Sequence, residues 1–294
     1  MNIDNRVTGT TRLMGVIGNP IEHSISPQLH NTINTLLNVD AVYVPFKVEK
    51  DDLENAVKGI KALNLVGVNV TVPYKKEIIK FLDDKTKEAL LMGAVNTVKN
   101  IDGRLYGYNT DAEGFSRSFK EEAGTGFKGK KVVIIGAGGA ARAIAVKIAI
   151  EGAEKISIVN RTVSKAQDIA EIISNNYGTE VICYGPKDAG FKEDFHKGDI
   201  IINTTSAGMF PNVDESPVGK GFVFSENQIV YDVIYNPSKT KFLKKAEKSG
   251  CKVINGLGML FYQGISAYEI WTGIKINNEV LGEVYMSFVN IFKN

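Results

Sequence analysis

The chain has 294 residues, 44% of them hydrophobic and 23% charged, with 35 lysines and arginines against 33 aspartates and glutamates. Those proportions exclude a disordered or fibrous class and match a soluble globular protein long enough for two domains. A net charge of +2 lacks the basic excess that binding a phosphate backbone demands, which argues against nucleic acid as a partner.

Cys183 and Cys251 show no CxxC spacing, and His23, His30 and His196 form no ligand cluster, so neither a metal site nor a disulfide framework is expected. The N-terminal stretch MNIDNRVTGTTRLMGVIG has no long apolar core, and no apolar run reaches the roughly 20 residues that span a bilayer. A reducing, cytoplasmic setting without membrane contact is the expectation.

Strand candidates at Leu13–Ile17, Ala41–Val48 and Val66–Val72 alternate with helical patterns near Pro27–Leu37, Asp51–Leu63 and Lys75–Leu82, the βαβ rhythm of a parallel sheet. Ser24 and Ser26 lie between the first strand and helix, at the carboxyl end of the sheet, where α/β proteins bind ligands. They suit a small carboxylate, helped by the following helix N-terminus, while Ser26 equally suits an N-cap ahead of Pro27. Asn69-Val70-Thr71-Val72-Pro73-Tyr74-Lys75 ends the third strand. A lysine in the first turn of a helix is electrostatically misplaced, which points to a use beyond solvation, a solvated surface lysine being the alternative.

Ala94–Lys99 and Leu105–Tyr108 flank Ile101-Asp102-Gly103, a hairpin signal. Asn96, in Gly93-Ala94-Val95-Asn96-Thr97, and Asp111, in Tyr108-Asn109-Thr110-Asp111, read on their own as turn formers. Thr110–Gly129 reads as a helix and a connection into the most informative stretch of the chain.

There Val132–Ile135 forms a buried-strand pattern that stops at Gly136-Ala137-Gly138-Gly139-Ala140-Ala141, followed by a helical rhythm to Ile150. The glycines admit a pyrophosphate to backbone N–H groups at a helix N-terminus, and Ala141 lets helix and strand pack closely. The next strand, Ile156–Val159, ends in Asn160-Arg161-Thr162 where an NAD site would place a carboxylate for the ribose 2′-hydroxyl. A guanidinium there favours a 2′-phosphate, so Arg161 points to NADP, with Thr162 and Lys165 adding a hydroxyl and a second charge; a solvated strand-end arginine is the alternative. Further strands are expected at Glu180–Cys183, Asp199–Asn203, Ile229–Val233 and Lys252–Ile254, with a charged helix from Ser238 to Ser249. Leu257–Thr272 and Asn278–Phe292 read as helices with one apolar face, able to return to the first domain.

GNPIEHSISPQLHN, GVNVTVPYK, GAVNT, YNTDAEGF, GAGGAARA, NRT, NTTSAGM, DVIYNP and GLGMLFYQG follow one another along nearly the whole chain. In their order they resemble the shikimate dehydrogenase family. The resemblance implies a two-domain α/β enzyme. Residues 1–110 with 257–294 would form a substrate domain with a parallel-type sheet, residues 111–256 a Rossmann NADP domain, and the active site would lie in the cleft between them. It implies NADPH-dependent, reversible reduction of 3-dehydroshikimate to shikimate, a step of aromatic amino-acid biosynthesis. Ser24, Ser26, Thr71, Asn96, Asp111, Tyr235 and Gln263 would bind substrate, with Lys75 and Asp111 the catalytic pair. Gly136, Ala137, Gly138, Gly139, Ala140, Asn160, Arg161, Thr162 and Lys165 would hold NADP(H), with Met209 near it and Val233 and Gly256 beside the nicotinamide. Lys165 stands where many members carry a second arginine, which implies a weaker preference for NADP. A quinate/shikimate dehydrogenase with relaxed substrate and cofactor use is the nearest alternative. A non-catalytic NADP sensor on the same fold is the other, against which Lys75 and Asp111 both speak. The expected partner is a small molecule, with the protein a monomer or homodimer.

Overall fold

The computed structural model describes residues 7–292, which divide between two units: those up to 110 together with those from 264 onward, and those from 111 to 263. In the first unit, β1 (Arg12–Gly18) leads through α1 (Ser26–Leu36) to β2 (Ala41–Lys47), and α2 (Leu53–Ala62) leads to β3 (Gly67–Val70); the three strands are parallel, with β1 in the middle. After β4 (Asp84–Lys85) and α3 (Lys87–Met92), the hairpin expected around Asp102-Gly103 forms β5 (Thr97–Ile101) and β6 (Arg104–Tyr108). Asp102 and Gly103 take φ of 50° and 82°, the two positive values that match a tight reversal to the twist of its strands. Because β5 pairs antiparallel with β3, the sheet, in order β2-β1-β3-β5-β6-β4, is parallel along one half and antiparallel at the hairpin.

The helical pattern read over Lys75–Leu82 contracts to a 3-10 turn at Glu77–Phe81, and Lys75 lies in the turn before it. Tyr74 is buried there and its hydroxyl donates to the Val48 carbonyl at 2.6 Å, so the segment is held by a side chain rather than by a helical ladder. With no α-helix at Lys75, the dipole argument for that lysine does not apply. The sequence reading also passed over β4 and α3, which are too short to show a period.

Both faces of this sheet are covered. Met14 and Val16 of β1 join Tyr43, Ala267 and Trp271 on one side, and Ile17 joins Val57, Ile60, Val68 and Val70 on the other. His30 is buried in the first layer, stacked on Tyr43 at 4.3 Å, and neither of its ring nitrogens completes a hydrogen bond. Burial pushes its pKa from the ordinary 6.5 down to about 3. As pH falls, the unfolded chain therefore takes up this proton before the folded one, so the stability tied to neutral His30 is complete above about pH 6.5 and declines towards pH 3. At pH 5 the loss amounts to about 2 kcal/mol. Urea midpoints measured at pH 7.5 and pH 5 are expected to fall further in the wild type than in His30→Phe. Equal falls would show that His30 does not drive acid sensitivity.

The second unit begins with α4 (Thr110–Ala123), whose first residue still belongs to the first unit. β7 (Lys131–Ile135), α5 (Gly139–Ile150), β8 (Lys155–Val159), α6 (Val163–Asn176) and β9 (Glu180–Tyr184) make one half. α7 (Ala189–Lys197), β10 (Ile200–Asn203), β11 (Ile229–Asp232), α8 (Lys241–Lys248) and β12 (Lys252–Ile254) make the other. The strands are all parallel, in the order β12-β11-β10-β7-β8-β9. This is the doubly wound order, and its switch point, where ligands bind, lies between β7 and β10. Sequence reading missed α7, a nine-residue helix marked only by Phe191 and Phe195, one turn apart and both buried.

α9 (Leu257–Thr272) carries the boundary at 263/264 within its length, rather than ahead of it at 256/257, and α10 (Asn278–Ile291) ends the described chain. Ala267 and Trp271 of α9 enter the first unit's core, and the Trp271 indole donates to the Val98 carbonyl at 2.9 Å. Among the described residues no helix is long and apolar enough to cross a membrane.

Candidate functional site

At the switch point, Gly136 leaves β7 with φ +112°, and a Cβ there would stand 2.5 Å from Thr204 Oγ1, at the end of the neighbouring β10. Only glycine both takes that conformation and lets the two strand ends approach. Gly138 caps α5 without a side-chain bond, and an added Cβ at Gly138 or Gly139 would meet nothing within 4 Å. Gly138, Gly139 and Ala140 are exposed, Ala137 is half-buried, and Ala141 is buried against the sheet. The result is open space over a helix N-terminus, which fits a pyrophosphate.

β8 ends at Asn160, whose side chain donates to the Thr162 carbonyl at 2.8 Å and shapes the turn into α6. Thr162 caps α6 without using its hydroxyl, and Arg161, Thr162 and Lys165 are all exposed around that N-terminus. Two cations and a helix terminus with no adjoining carboxylate in Asn160-Arg161-Thr162 fit a ribose 2′-phosphate.

Across the switch point, the residues after β10 and β11 enclose a cavity of about 430 Å³ lined by Thr204, Thr205, Ser206, Met209, Phe210, Val233, Ile234, Tyr235 and Asn236. Met209 and Tyr235 are 46% and 41% exposed, so they form its lip rather than part of the core. A Cβ at Gly256 would collide with the Val233 carbonyl; glycine there brings the chain beyond β12 against this wall, and Gly256 N donates to Ile234 O at 3.1 Å. Asp232, behind the wall, is fully buried, and burial pushes its carboxyl up to about 6 although Thr240, Ile234 N and Asn203 donate to it.

In the first unit, the parallel pairing of β1 and β3 brings Gly18 and Thr71 to one edge of the sheet. Ser24 and Ser26 sit in the loop leaving that edge, half-buried, with Ser26 N donating to Ser24 Oγ at 3.4 Å. Ser26 is not the N-cap of α1. Ile25 holds that position without a side-chain bond, and the Ser26 side chain lies beside the buried Tyr43. Lys75 is half-buried in the turn after Thr71, its carbonyl accepting from Val95 N at 2.8 Å. Asn96 is buried, and its Oδ1 accepts from Thr110 N at 2.7 Å while its Nδ2 donates to Thr110 Oγ1 at 3.0 Å. Its amide therefore shapes the start of α4, directly ahead of Asp111.

Sequence reading did not single out Asn69 or Tyr43. The Tyr43 hydroxyl donates to Asn69 Oδ1 at 2.8 Å, and Asn69 Nδ2 donates to Thr97 Oγ1 at 3.1 Å and to Asn96 O at 3.2 Å. Asn69 thereby links the Ser26 neighbourhood to Asn96 through the sheet interior. The one available signal was an asparagine inside the apolar run GVNV, where an unpaired amide is costly.

In the second unit, Gly114 lets α4 and α9 cross closely, an added Cβ lying 2.5 Å from Gln263 N. Asp111 precedes Gly114 by three residues in α4, the spacing of neighbours on one helical face. Gln263 is half-buried and donates to the Leu260 carbonyl at 2.9 Å.

A doubly wound sheet, a glycine turn on a helix N-terminus and a cavity at the switch point define a dinucleotide-dependent oxidoreductase. Models of protein families match residues 16–98 as shikimate dehydrogenase substrate binding domain, residues 118–214 as shikimate / quinate 5-dehydrogenase and residues 256–280 as shikimate 5′-dehydrogenase C-terminal domain. The shikimate dehydrogenase (NADP(+)) of Methanocaldococcus jannaschii is 46% identical over 279 residues, 94% of this chain and 96% of its own. The chain belongs to the shikimate dehydrogenase family. Shikimate 5-dehydrogenase from Listeria monocytogenes, in complex with shikimate and NAD, matches it with a TM-score of 0.91 at 39% identity, over 97% of this chain and 100% of that one. Ligand-free 5-ketofructose reductase of Gluconobacter matches with a TM-score of 0.85 at 38% identity, over 97% and 100%.

Proposed function

We propose that the protein catalyses the reversible, NADP-dependent reduction of 3-dehydroshikimate to shikimate, as a cytoplasmic enzyme of aromatic amino-acid biosynthesis. The observation that carries this reading is the set of hydroxyls, amides and one ammonium at the carboxyl edge of β1 and β3, the groups that a small polyhydroxy carboxylate needs. Ser24 and Ser26 take the carboxylate, and Thr71, Asn96, Asp111, Tyr235 and Gln263 take the ring hydroxyls and carbonyl. A hydroxyl matched in this way gives selectivity, because an analogue lacking it leaves a buried polar group unpaired.

Gly136 to Ala140 hold the cofactor pyrophosphate, Asn160 to Thr162 with Lys165 hold the 2′-phosphate, and Met209, Val233 and Gly256 flank the nicotinamide, which when bound supplies the hydride for the ketone carbon. Lys75 gives its proton to the carbonyl oxygen as that oxygen gains charge, and its positive charge stabilises the developing alkoxide. Asp111 accepts a hydrogen bond from a substrate hydroxyl and sets the ring against Lys75. In the oxidative direction the same groups act in reverse, Lys75 receiving the hydroxyl proton.

Absorbance at 340 nm with shikimate or quinate, each with NADP⁺ or NAD⁺, tests the reading. Turnover is expected with shikimate and NADP⁺, with Arg161→Ala raising the KM for NADP⁺ by about 10-fold and leaving that for NAD⁺ unchanged. Comparable quinate or NAD⁺ turnover would instead assign a relaxed quinate/shikimate dehydrogenase, a reading that Lys165 in place of a second arginine favours. No turnover with any pair would overturn both.

A further inference from the structure

The apolar strand β10 reads Ile200-Ile201-Ile202 and then ends in an asparagine that is fully buried. A buried amide without partners is costly, so its hydrogen bonds carry the reason for its presence. Asn203 Nδ2 donates to Asp232 Oδ1 at 2.9 Å, while Asn203 Oδ1 accepts from Thr205 N at 3.0 Å and from Thr205 Oγ1 at 2.7 Å. Its main-chain carbonyl accepts from Val233 N at 3.0 Å. Asp232 Oδ1 in turn accepts from Ile234 N at 3.1 Å, and Asp232 Oδ2 from Thr240 Oγ1 at 2.7 Å, where Thr240 caps α8. One side chain thus ties Thr205, on the first wall of the cavity, to the carboxylate that holds Ile234 on the second.

We propose that Asn203 is a positioning residue for the cofactor, its amide locking the 204–207 and 233–235 segments at the spacing the nicotinamide requires. The proposal rests on reading this cavity as the nicotinamide site. The chemistry is specific to an amide. It must present an acceptor to Thr205 and a donor to Asp232 at once, which a leucine cannot do at all and an aspartate cannot do without setting two carboxyl groups against each other. The network also reaches the pyrophosphate turn, since the adjoining Thr204 donates from Oγ1 to Ile135 O at 2.8 Å beside Gly136. A loosened Asn203 thereby acts on how the nicotinamide ring sits.

The full-length Asn203→Leu protein, close to isosteric, tests this through steady-state constants and through the emission of bound NADPH. The KM for NADP⁺ is expected to rise by about 10-fold and kcat to fall by about 10-fold, with the KM for shikimate within about three-fold of wild type and the NADPH emission shifted. A lowered melting temperature with unchanged NADP⁺ KM, kcat and emission would overturn the proposal, leaving Asn203 a structural residue only. If Asn203→Leu does not fold, Thr205→Val and Thr205→Ser decide. Valine keeps the shape and loses the hydroxyl that Asn203 accepts, so the serine variant is expected to lie at least about three-fold nearer the wild-type NADP⁺ KM than the valine variant. Equal values would overturn the proposal. Wild-type protein that fails to bind NADPH would instead overturn the reading of the cavity on which it rests.

Discussion

Lys75→Ala lowers kcat by about 10²-fold or more, with a smaller change in the KM for shikimate. The carbonyl oxygen must gain a proton as hydride arrives at carbon, and the ammonium is the group assigned to give it. A role confined to ground-state binding would appear in KM alone, whereas removing a proton donor and its charge raises the barrier itself. The fold of this turn is held by groups other than the Lys75 side chain. Lys75 lies in a turn after β3 whose main chain is held by Val95 N on the Lys75 carbonyl, and the neighbouring Tyr74 hydroxyl pins the same turn to Val48. Truncating the side chain removes neither hold. Steady-state rates of wild type and variant at saturating NADP⁺, with melting temperatures in parallel, make the measurement. Turnover within a few-fold of wild type would remove Lys75 from the chemistry.

Gly136→Val weakens NADP⁺ binding by well over about 10-fold and lowers the melting temperature as well. Two penalties coincide at this position. Gly136 has φ +112°, where a β-branched residue is strained by about 1–3 kcal/mol, and its added Cβ would stand 2.5 Å from Thr204 Oγ1 and 3.1 Å from Thr205 Cγ2. Displacing Thr204 and Thr205 shifts one wall of the cavity, so the effect is felt along the whole cofactor. Gly139→Ala provides the contrast. It has open space around its Cβ and an ordinary backbone, so its melting temperature stays at the wild-type value while NADP⁺ binding weakens through intrusion on the pyrophosphate space. Isothermal titration with NADP⁺ and thermal melts on the two variants separate these cases. Gly136→Val with wild-type affinity would show that the turn tolerates a side chain and that the pyrophosphate lies elsewhere.

Most of the parallel strands were legible because each combines a short β-branched run with turn residues at its ends. Val132–Ile135, stopped by Gly136, is the clearest case, and the structure extends it by only one residue at its start. The Asp102-Gly103 reversal was legible for the same local reason. The sequence pattern near Lys75–Leu82 is helical, with Lys75 opening the helix after the Pro73 break. In the fold that pattern becomes a turn and five residues of 3-10 helix, since Tyr74 finds its partner at Val48 on another segment. Ser26 shows the same limit. Beside Pro27 it suits a cap, yet Ile25 takes the cap position and Ser26 packs beside Tyr43, a residue of a different strand.

By itself the sequence determined the class of each segment, the glycine turn, the basic ending of the second Rossmann strand and the family, since all of these are written in residues close together in the chain. Only the tertiary structure decided which polar side chains meet. Asn203 reaches Asp232, and Tyr43 reaches Asn69, because strand order places β10 beside β11 and β1 between β2 and β3. The physical reason is range. Propensity and turn chemistry act over a few residues, whereas a buried amide must satisfy its hydrogen bonds with whatever strand the topology sets beside it.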